Sequence, residues 1–284
     1  MRTVERCFSW RRWMAFAAGL CVAAALAGCS AMALQTADDS LHVRLASLGP
    51  TDVIILGEQH DAPEHQQLER KAVTLLADRG ELQALVIEMA EQGRSTEGLR
   101  WFATEGEVQQ ALGWDEQAWP WFAYGPAIIK AVRAGVPVYG GNLPRAGLPA
   151  AMADASLDAL LDADALKLQQ QAIRDGHCQS LPESQITPMA RVQIARDRAM
   201  AQAVARAVRP GRPVLLVTGA GHADLRLGVA RHLPKNLRVR TVKLWATGTQ
   251  PGTEPMPRGF DDVWRTYPLP QQDYCARITA RQQL

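Results

Sequence analysis

Five short apolar runs punctuate the chain: Val53–Leu56, Ala84–Ile87, Val136–Tyr139, Val214–Thr218 and Val239–Leu244. Each is nearly continuous in hydrophobic, β-branched residues, with segments of helical periodicity between them. Runs of that length without alternation predict strands buried on both faces, so the pattern predicts an α/β fold, a mainly parallel sheet flanked by helices. After the first run, Asp61 is placed to cap a helix and Glu64, three residues on, to complete a capping box. Pro63 is tolerated in the first turn, and Gly80 ends the helix. A second helix is expected to open at Thr187-Pro188, to run to about Val208, and to stop at Pro210-Gly211. No internal repeat or low-complexity tract interrupts the pattern. Residues 248–257, rich in Pro, Gly and Thr, read as a loop.

Polar residues gather where these strands end. The first runs into Gly57-Glu58-Gln59-His60, the second into Glu88, the third into Asn142, and the fourth into Gly219-Ala220-Gly221-His222. Strands of a parallel sheet point their carboxyl ends at one edge, where ligands bind. That topology brings His60 and His222 to a common rim with Glu58 and Glu88. The two Gly-x-x-His segments also present backbone N–H groups at helix starts, suited to an anion or carboxylate. The plainer reading is that Gly219 and Gly221 serve a tight turn and that Glu88 caps the next element.

Helical spacing marks further candidates. Arg196 falls in register with Val192, Ala199 and Ala203, facing the sheet, where it needs Glu58, Glu88 or a ligand carboxylate as partner; otherwise its stem snorkels to the edge. His65 is in register with Leu68, Ala72 and Leu75, the position of a core histidine or of an inward ligand. His42, His177 and His232 read as surface or capping residues. Seven of the 13 aromatic residues beyond position 28 lie between Trp101 and Tyr124 (Trp101, Phe102, Trp114, Trp119, Trp121, Phe122, Tyr124). Gly106, Gly113 and Pro120 break the stretch into an irregular helical insertion. Such a block covers a flat apolar ligand, or packs a helical hairpin on the sheet. Tyr124 carries an oxygen able to ligate ferric haem.

Length and composition narrow the class. The 284 residues, 47% hydrophobic and 21% charged, suit one sizeable globular domain and exclude a disordered chain. Of the 31 basic and 29 acidic residues, four arginines (Arg2, Arg6, Arg11, Arg12) and one acid, Glu5, lie in the first 28 positions. The remainder is near neutral, which argues against a nucleic-acid partner. The arginines precede an uncharged run, residues 13–27, of signal-peptide length and short for a membrane span.

Leu26-Ala27-Gly28-Cys29 resembles the bacterial lipobox. The resemblance implies a signal peptide over 1–28, lipidation at Cys29, a tether over 29–40 and a single domain over 41–284. Ser30 after the cysteine favours the outer membrane, facing the periplasm or the surface. Cys7 and Cys21 then leave with the signal, and Cys178 and Cys275 remain. In an oxidising compartment these form one disulfide closing a loop of about 100 residues, worth roughly 4 kcal/mol, or stay as two independent buried thiols.

Ile55-Leu56-Gly57-Glu58-Gln59-His60, Val86-Ile87-Glu88-Met89, the segment Gln193–Ala201 around Arg196, and Gly219-Ala220-Gly221-His222 together resemble the ChaN group of haem-binding uptake lipoproteins in the Tiki/TraB/erythromycin-esterase superfamily. The resemblance implies haem held between two subunits of a homodimer, with tyrosine on the iron and basic or histidine side chains on the propionates. Glu58, His60, Glu88, Arg196 and His222 match its motif. Tyr124 is the expected iron ligand, with Tyr139 as rival; Lys130, His65 or Arg196 would receive propionates, and a haem receptor would be the partner in uptake. Hydrolytic relatives offer an alternative, a metal-dependent protease or esterase. In it His60 and His222, with Glu58 or Glu88, bind a divalent metal or activate water, and Arg196 stabilises an oxyanion.

Overall fold

The computed structural model describes residues 40–247, 255–270 and 272–276. Cys29, its leader, most of the tether and residues 248–254 of the expected loop lie outside them. Helix α1 (residues 40–47) belongs to a unit distinct from the one formed by Leu48 onward.

In the larger unit all five expected strands form: β1 (Val53–Glu58), β2 (Ala84–Glu91), β3 (Val138–Asn142), β4 (Val214–Gly219) and β5 (Val239–Ala246). A sixth, β6 (Asp262–Thr266), joins them. The sheet is wholly parallel in the order β3-β2-β4-β1-β5-β6. Between the strands run α2 (Pro63–Asp78), α3 (Glu105–Leu112), α4 (Trp121–Arg133), α5 (Leu148–Ala153), α6 (Ala163–Gly176), α7 (Glu183–Ala207) and the single turn α8 (Ala220–Ala223). No described helix is long and apolar enough to cross a membrane.

Side chains alternate across the sheet. Val53, Ile55, Ala84, Val86, Val214 and Leu216 pack with Met200 and Val204 of α7 on one face, while α2 and α4 pack together on the other. β6 escaped detection because only Trp264 and Thr266 of its five residues are buried, as suits an edge strand.

Two helix starts differ from the sequence expectation. The cap of α2 is Ala62, with no side-chain hydrogen bond. The intended capping pair serves the C-terminal segment instead: Glu64 accepts from the Tyr267 N–H at 2.7 Å and Asp61 from the Tyr274 hydroxyl at 2.7 Å. Helix α7 begins at Glu183, leaving Pro188 inside it. Burial of Ile186 and Ala190 against Ile173 of α6 holds the turns around that proline.

Cys178 is bonded to Cys275, with Cα atoms 5.5 Å apart and a sequence separation of 97. The alternative of two independent thiols is set aside.

Candidate functional site: two histidines facing one glutamate

β1 and β4 are neighbours, yet the chain leaves β1 toward β2 and leaves β4 toward β5, on opposite sides. The two connections pass over each other's strand on opposite faces, and a crevice opens between neighbouring strands whose connections leave in opposite directions. Glu58 is paired in register with Gly219 at its floor. Alternation then sorts the acids. Glu58 ends the run 54, 56, 58 that faces α2 and α4, and Glu88 ends the run 84, 86, 88 that faces α7. They sit on opposite faces of the same sheet edge, and His60 reaches across between them.

Each histidine is held by a carboxylate. His60 Nδ1 is 2.8 Å from Glu58 Oε1, and His222 Nδ1 is 2.7 Å from Asp197 Oδ1. Both Nε2 atoms turn to Glu88, at 3.9 Å from His60 and 3.6 Å from His222. Glu88 also accepts from the Thr218 hydroxyl at 2.7 Å and the Gly219 N–H at 2.8 Å. The approach depends on glycine. A Cβ on Gly219 would stand 2.8 Å from His60 Nε2, and one on Gly57 would stand 2.6 Å from the Cβ of Ala223 in α8.

Burial and neighbouring charges together set the protonation states. It would raise the Glu88 carboxyl, but the charges of His222 and His60 and the two donated hydrogen bonds outweigh it and hold the group down at about 2. Burial would lower His222, but Asp197 and Glu88 lift it to about 9, against opposition from Arg196. Asp197 is raised to about 6 by burial, offset in part by His222. His60 is raised because Glu58 and Glu88 overcome its burial. At neutral pH His222 therefore carries a positive charge beside the Glu88 carboxylate, and His60 is shifted toward its charged form.

A pH dependence follows. The folded pKa of His222 lies above its unfolded value, so its contribution is complete below about 6.5 and is lost as pH rises through about 9. The full amount is about 3 kcal/mol, or a fall in Tm of roughly 6–12 °C between pH 6.5 and 9.5 for a domain of this size. The cost of ionising Asp197 is mostly established by pH 7 and largely cancels from that interval. Thermal melts across the range should show the fall, and His222→Gln should flatten it.

Glu58 is the second hub. Its Oε1 also accepts from the Tyr124 hydroxyl at 2.8 Å, and its Oε2 accepts from Gln66 Nε2 at 2.6 Å. Glu69, buried beside it and hydrogen-bonded to it, is raised well above the usual carboxyl range, first by burial and then by the Glu58 charge.

Several sequence assignments are corrected by this geometry. Tyr124 is 5% exposed and donates to Glu58 at 2.8 Å; burial and that charge push its phenol far above its ordinary value. Tyr139, on β3, lines a separate cavity of about 310 Å³ with Glu97 and Arg209. His65 is fully buried; its Nδ1 accepts from the Gln59 N–H at 3.0 Å and its Nε2 bonds Thr266 Oγ1 at 2.9 Å, leaving nothing for a ligand. Lys130 pairs with Asp78 across α4 and α2. Arg196 is half-buried near the Asp197–His222 pair and makes no ion pair with Glu58 or Glu88; its Nε is buried without a partner. His177 caps α6 through the Ile173 carbonyl at 2.8 Å.

The aromatic block divides in two. Trp119 meets His60 edge-on at 4.9 Å and Tyr124 at 5.9 Å, and Trp114 packs on Trp121 at 4.9 Å, so these rings brace the site. Trp101, Phe102 and Phe122 remain exposed.

The crevice is open, with a volume of about 960 Å³. Glu58, His60, Asp61, His222, the disulfide and Tyr274 are among its lining residues. Tyr274 donates to Asp61 and accepts from Gln59 Nε2 at 3.2 Å. It was missed because it lies beyond the last clear helical or strand pattern. Among the described residues, no group of three or more His, Cys, Asp and Glu side chains is arranged to hold a metal ion.

Fold and crevice define an α/β ligand-binding protein with paired rim histidines. The chain belongs to the family described as haem-binding uptake, Tiki superfamily, ChaN, whose model matches residues 44–233. Among solved structures it is similar to ChaN of Campylobacter jejuni, solved with cofacial haem, at 20% identity and a TM-score of 0.59. The likeness covers 75% of this chain and 87% of that one. No curated protein matches the sequence.

Proposed function

We propose that this protein binds haem as cargo in the paired-histidine crevice, as a lipoprotein of the outer membrane that holds haem or passes it on during iron uptake. The observation that carries the reading is the crevice itself. Its volume is at the upper end of the roughly 300–1,000 Å³ in which proteins bury small ligands. Its rim offers the His222 imidazolium and the His60 ring, suited to propionate carboxylates, and Tyr274 borders it. Tyr274 replaces Tyr124 as the candidate iron ligand, with Asp61 placed to take up the phenol's hydrogen bond. The export half of the reading rests on the lipobox-like Leu26–Cys29, outside the described residues, and is supported by the disulfide, which suits an oxidising compartment. Residues exposed beside the insertion, Trp101, Phe102 and Phe122, would serve a second copy or a haem receptor.

Titration of the detergent-solubilised full chain with hemin tests the function. Saturation at one haem per chain with a sharp Soret band is expected. A spectrum that grows without saturating would contradict it.

One observation favours a second reading, metal-dependent hydrolysis. Both histidines are oriented through Nδ1 by carboxylates, as metal-binding imidazoles are. Ester or peptide hydrolysis dependent on an added divalent ion, and abolished by His222→Ala, would support that reading over the first.

A further inference from the structure

The amino-terminal edge of the sheet, opposite the crevice, carries exposed aromatic rings and unpaired charge. After β2 the chain turns back along β3: Thr96 N donates to Val138 O at 2.9 Å, and Val138 N to Thr96 Oγ1 at 2.9 Å. The turn that follows holds Arg100, Trp101 and Phe102. Arg133, the last residue of α4, fixes it beside the start of β3 by donating to the Trp101 and Ala103 carbonyls at 2.6 and 2.9 Å. Trp101 and Phe102 are 64% and 53% exposed and meet edge-on at 5.4 Å, with the Arg100 guanidinium 5.7 Å over the Phe102 ring. Rings held in solvent beside a cation suit a boundary between water and an apolar phase.

Charge gathers at the same edge. Helix α7 ends there before β4 and supplies Arg206, with Arg209 and Arg212 in the connection. Arg206 and Arg209 line one small cavity with Glu97 and Tyr139, which joins this group to the Arg100 turn. Arg100, Arg133, Arg206, Arg209 and Arg212 are all exposed, and none forms an ion pair among the described residues. Arg133 and Arg206 also offset the negative ends of their helices, and Arg209 donates to the Arg206 and Val208 carbonyls, but carbonyl partners leave a guanidinium its charge. The acids nearby are already engaged: Asp52 with Arg238, Asp78 with Lys130, Glu81 with Arg79, and Glu97 with the Tyr139 phenol. A surplus of positive charge therefore flanks the two rings. The chain also enters this unit here. Asp52 N and Val53 N both donate to Arg238 O at the start of β1, so the segment that leads back toward Cys29 departs from the edge that carries the rings.

We propose that this edge is a membrane-docking face, in which Trp101 and Phe102 enter the headgroup region of an anionic phospholipid bilayer while the five arginines pair with lipid phosphates. Aromatic residues beside a cationic surface are the composition of segments that lie in the interface, and the arginines draw that surface to anionic lipid. Docked in this pose, the crevice at the carboxyl edge stands away from the bilayer by the length of a six-residue strand, about 20 Å. The cargo is then offered to partners in water and kept from partitioning into lipid. For Trp101 and Phe102 the bilayer takes the place of the second copy or receptor named above, which keeps Phe122. The proposal rests on the export half of the proposed function for what brings the domain to a membrane; the face itself does not depend on haem.

Hydroxyl-radical footprinting of the full chain, inserted into preformed vesicles, reads the face. The anchor is the same in vesicles of phosphatidylcholine alone and in vesicles that also contain phosphatidylglycerol, so the difference between them reports docking. Oxidation of Trp101 and Phe102 should fall at least fivefold on the anionic vesicles and recover in high salt, while Phe122, at the other end of α4, is unchanged. Equal oxidation on the two kinds of vesicle would overturn the proposal. Protection that follows protein concentration in detergent, with no further effect of anionic lipid, would assign the face to a second copy and overturn it as well. The variant Arg100→Glu/Arg206→Glu/Arg212→Glu should lose the anionic protection and keep its hemin Kd; protection that survives these changes would reject the role given to the arginines. A measured mass without lipid at Cys29 would fail the export reading on its own. The two footprints, recorded with vesicles in excess, would still decide the face.

Discussion

Glu88→Ala should cost the protein about 3–5 kcal/mol, read as a lower urea midpoint with little change in slope. Glu88 is 3% exposed, and four groups converge on it: the Thr218 hydroxyl, the Gly219 N–H and the two imidazoles. Removing the carboxylate leaves two buried donors unpaired and takes a buried counter-charge from beside both imidazoles, the arrangement in which breaking one partner is most damaging. His222 would keep Asp197 but lose its second counter-charge, so its pKa should drop from about 9 toward neutrality. Glu88→Gln keeps the shape and an acceptor for Thr218 and Gly219 and should recover part of the loss. A destabilisation below about 1 kcal/mol for the alanine variant would mean that the histidines are neutral in the fold.

Substituting the two tyrosines near the crevice should give opposite results. Tyr274→Phe removes the phenol that borders the open space, and should abolish the tyrosinate charge-transfer feature of the hemin complex while weakening binding by at least tenfold. Tyr124→Phe removes a buried donor to Glu58, which keeps His60 and Gln66 as partners. It should leave the hemin spectrum intact and cost about 1.5–3 kcal/mol of stability, the ordinary loss for a buried hydrogen bond to a charged group. Loss of the spectrum with Tyr124→Phe, and its survival with Tyr274→Phe, would return the ligand to the aromatic insertion.

Much of the site was legible because strand ends are legible. The five runs of buried β-branched residues located β1 to β5, and a parallel sheet necessarily collects their carboxyl ends, so Glu58, His60, Glu88 and His222 could be placed together. Second-layer partners were visible in principle. Asp197 is the polar member of an apolar stripe, Ala190, Ile194, Ala201 and Val204, and it is 1% exposed. Gln66 and Glu69 interrupt a similar stripe through Ala62, Val73 and Leu76. Asp197, next to Arg196 in sequence, is the shorter side chain and the one that fits the buried position beside His222. The aromatic block was only half readable, since spacing cannot tell Trp119, packed on His60, from Phe122, left in solvent. Tyr274 could not be found by pattern. Its place depends on a disulfide and on hydrogen bonds to residues more than 200 positions away, and local periodicity carries no trace of either.

The central claim is that the crevice between β1 and β4 is where haem binds, and the side-chain resonances of the histidines report on it directly. In the ¹⁵N-labelled full chain, substoichiometric hemin should broaden the ring signals of His60 and His222 before that of His232, because haem in the crevice would lie nearer to them. His232, packed outside the crevice, should retain its signal longer. A saturable complex that broadens His232 while His60 and His222 stay sharp would contradict the account and move the cargo elsewhere on the fold.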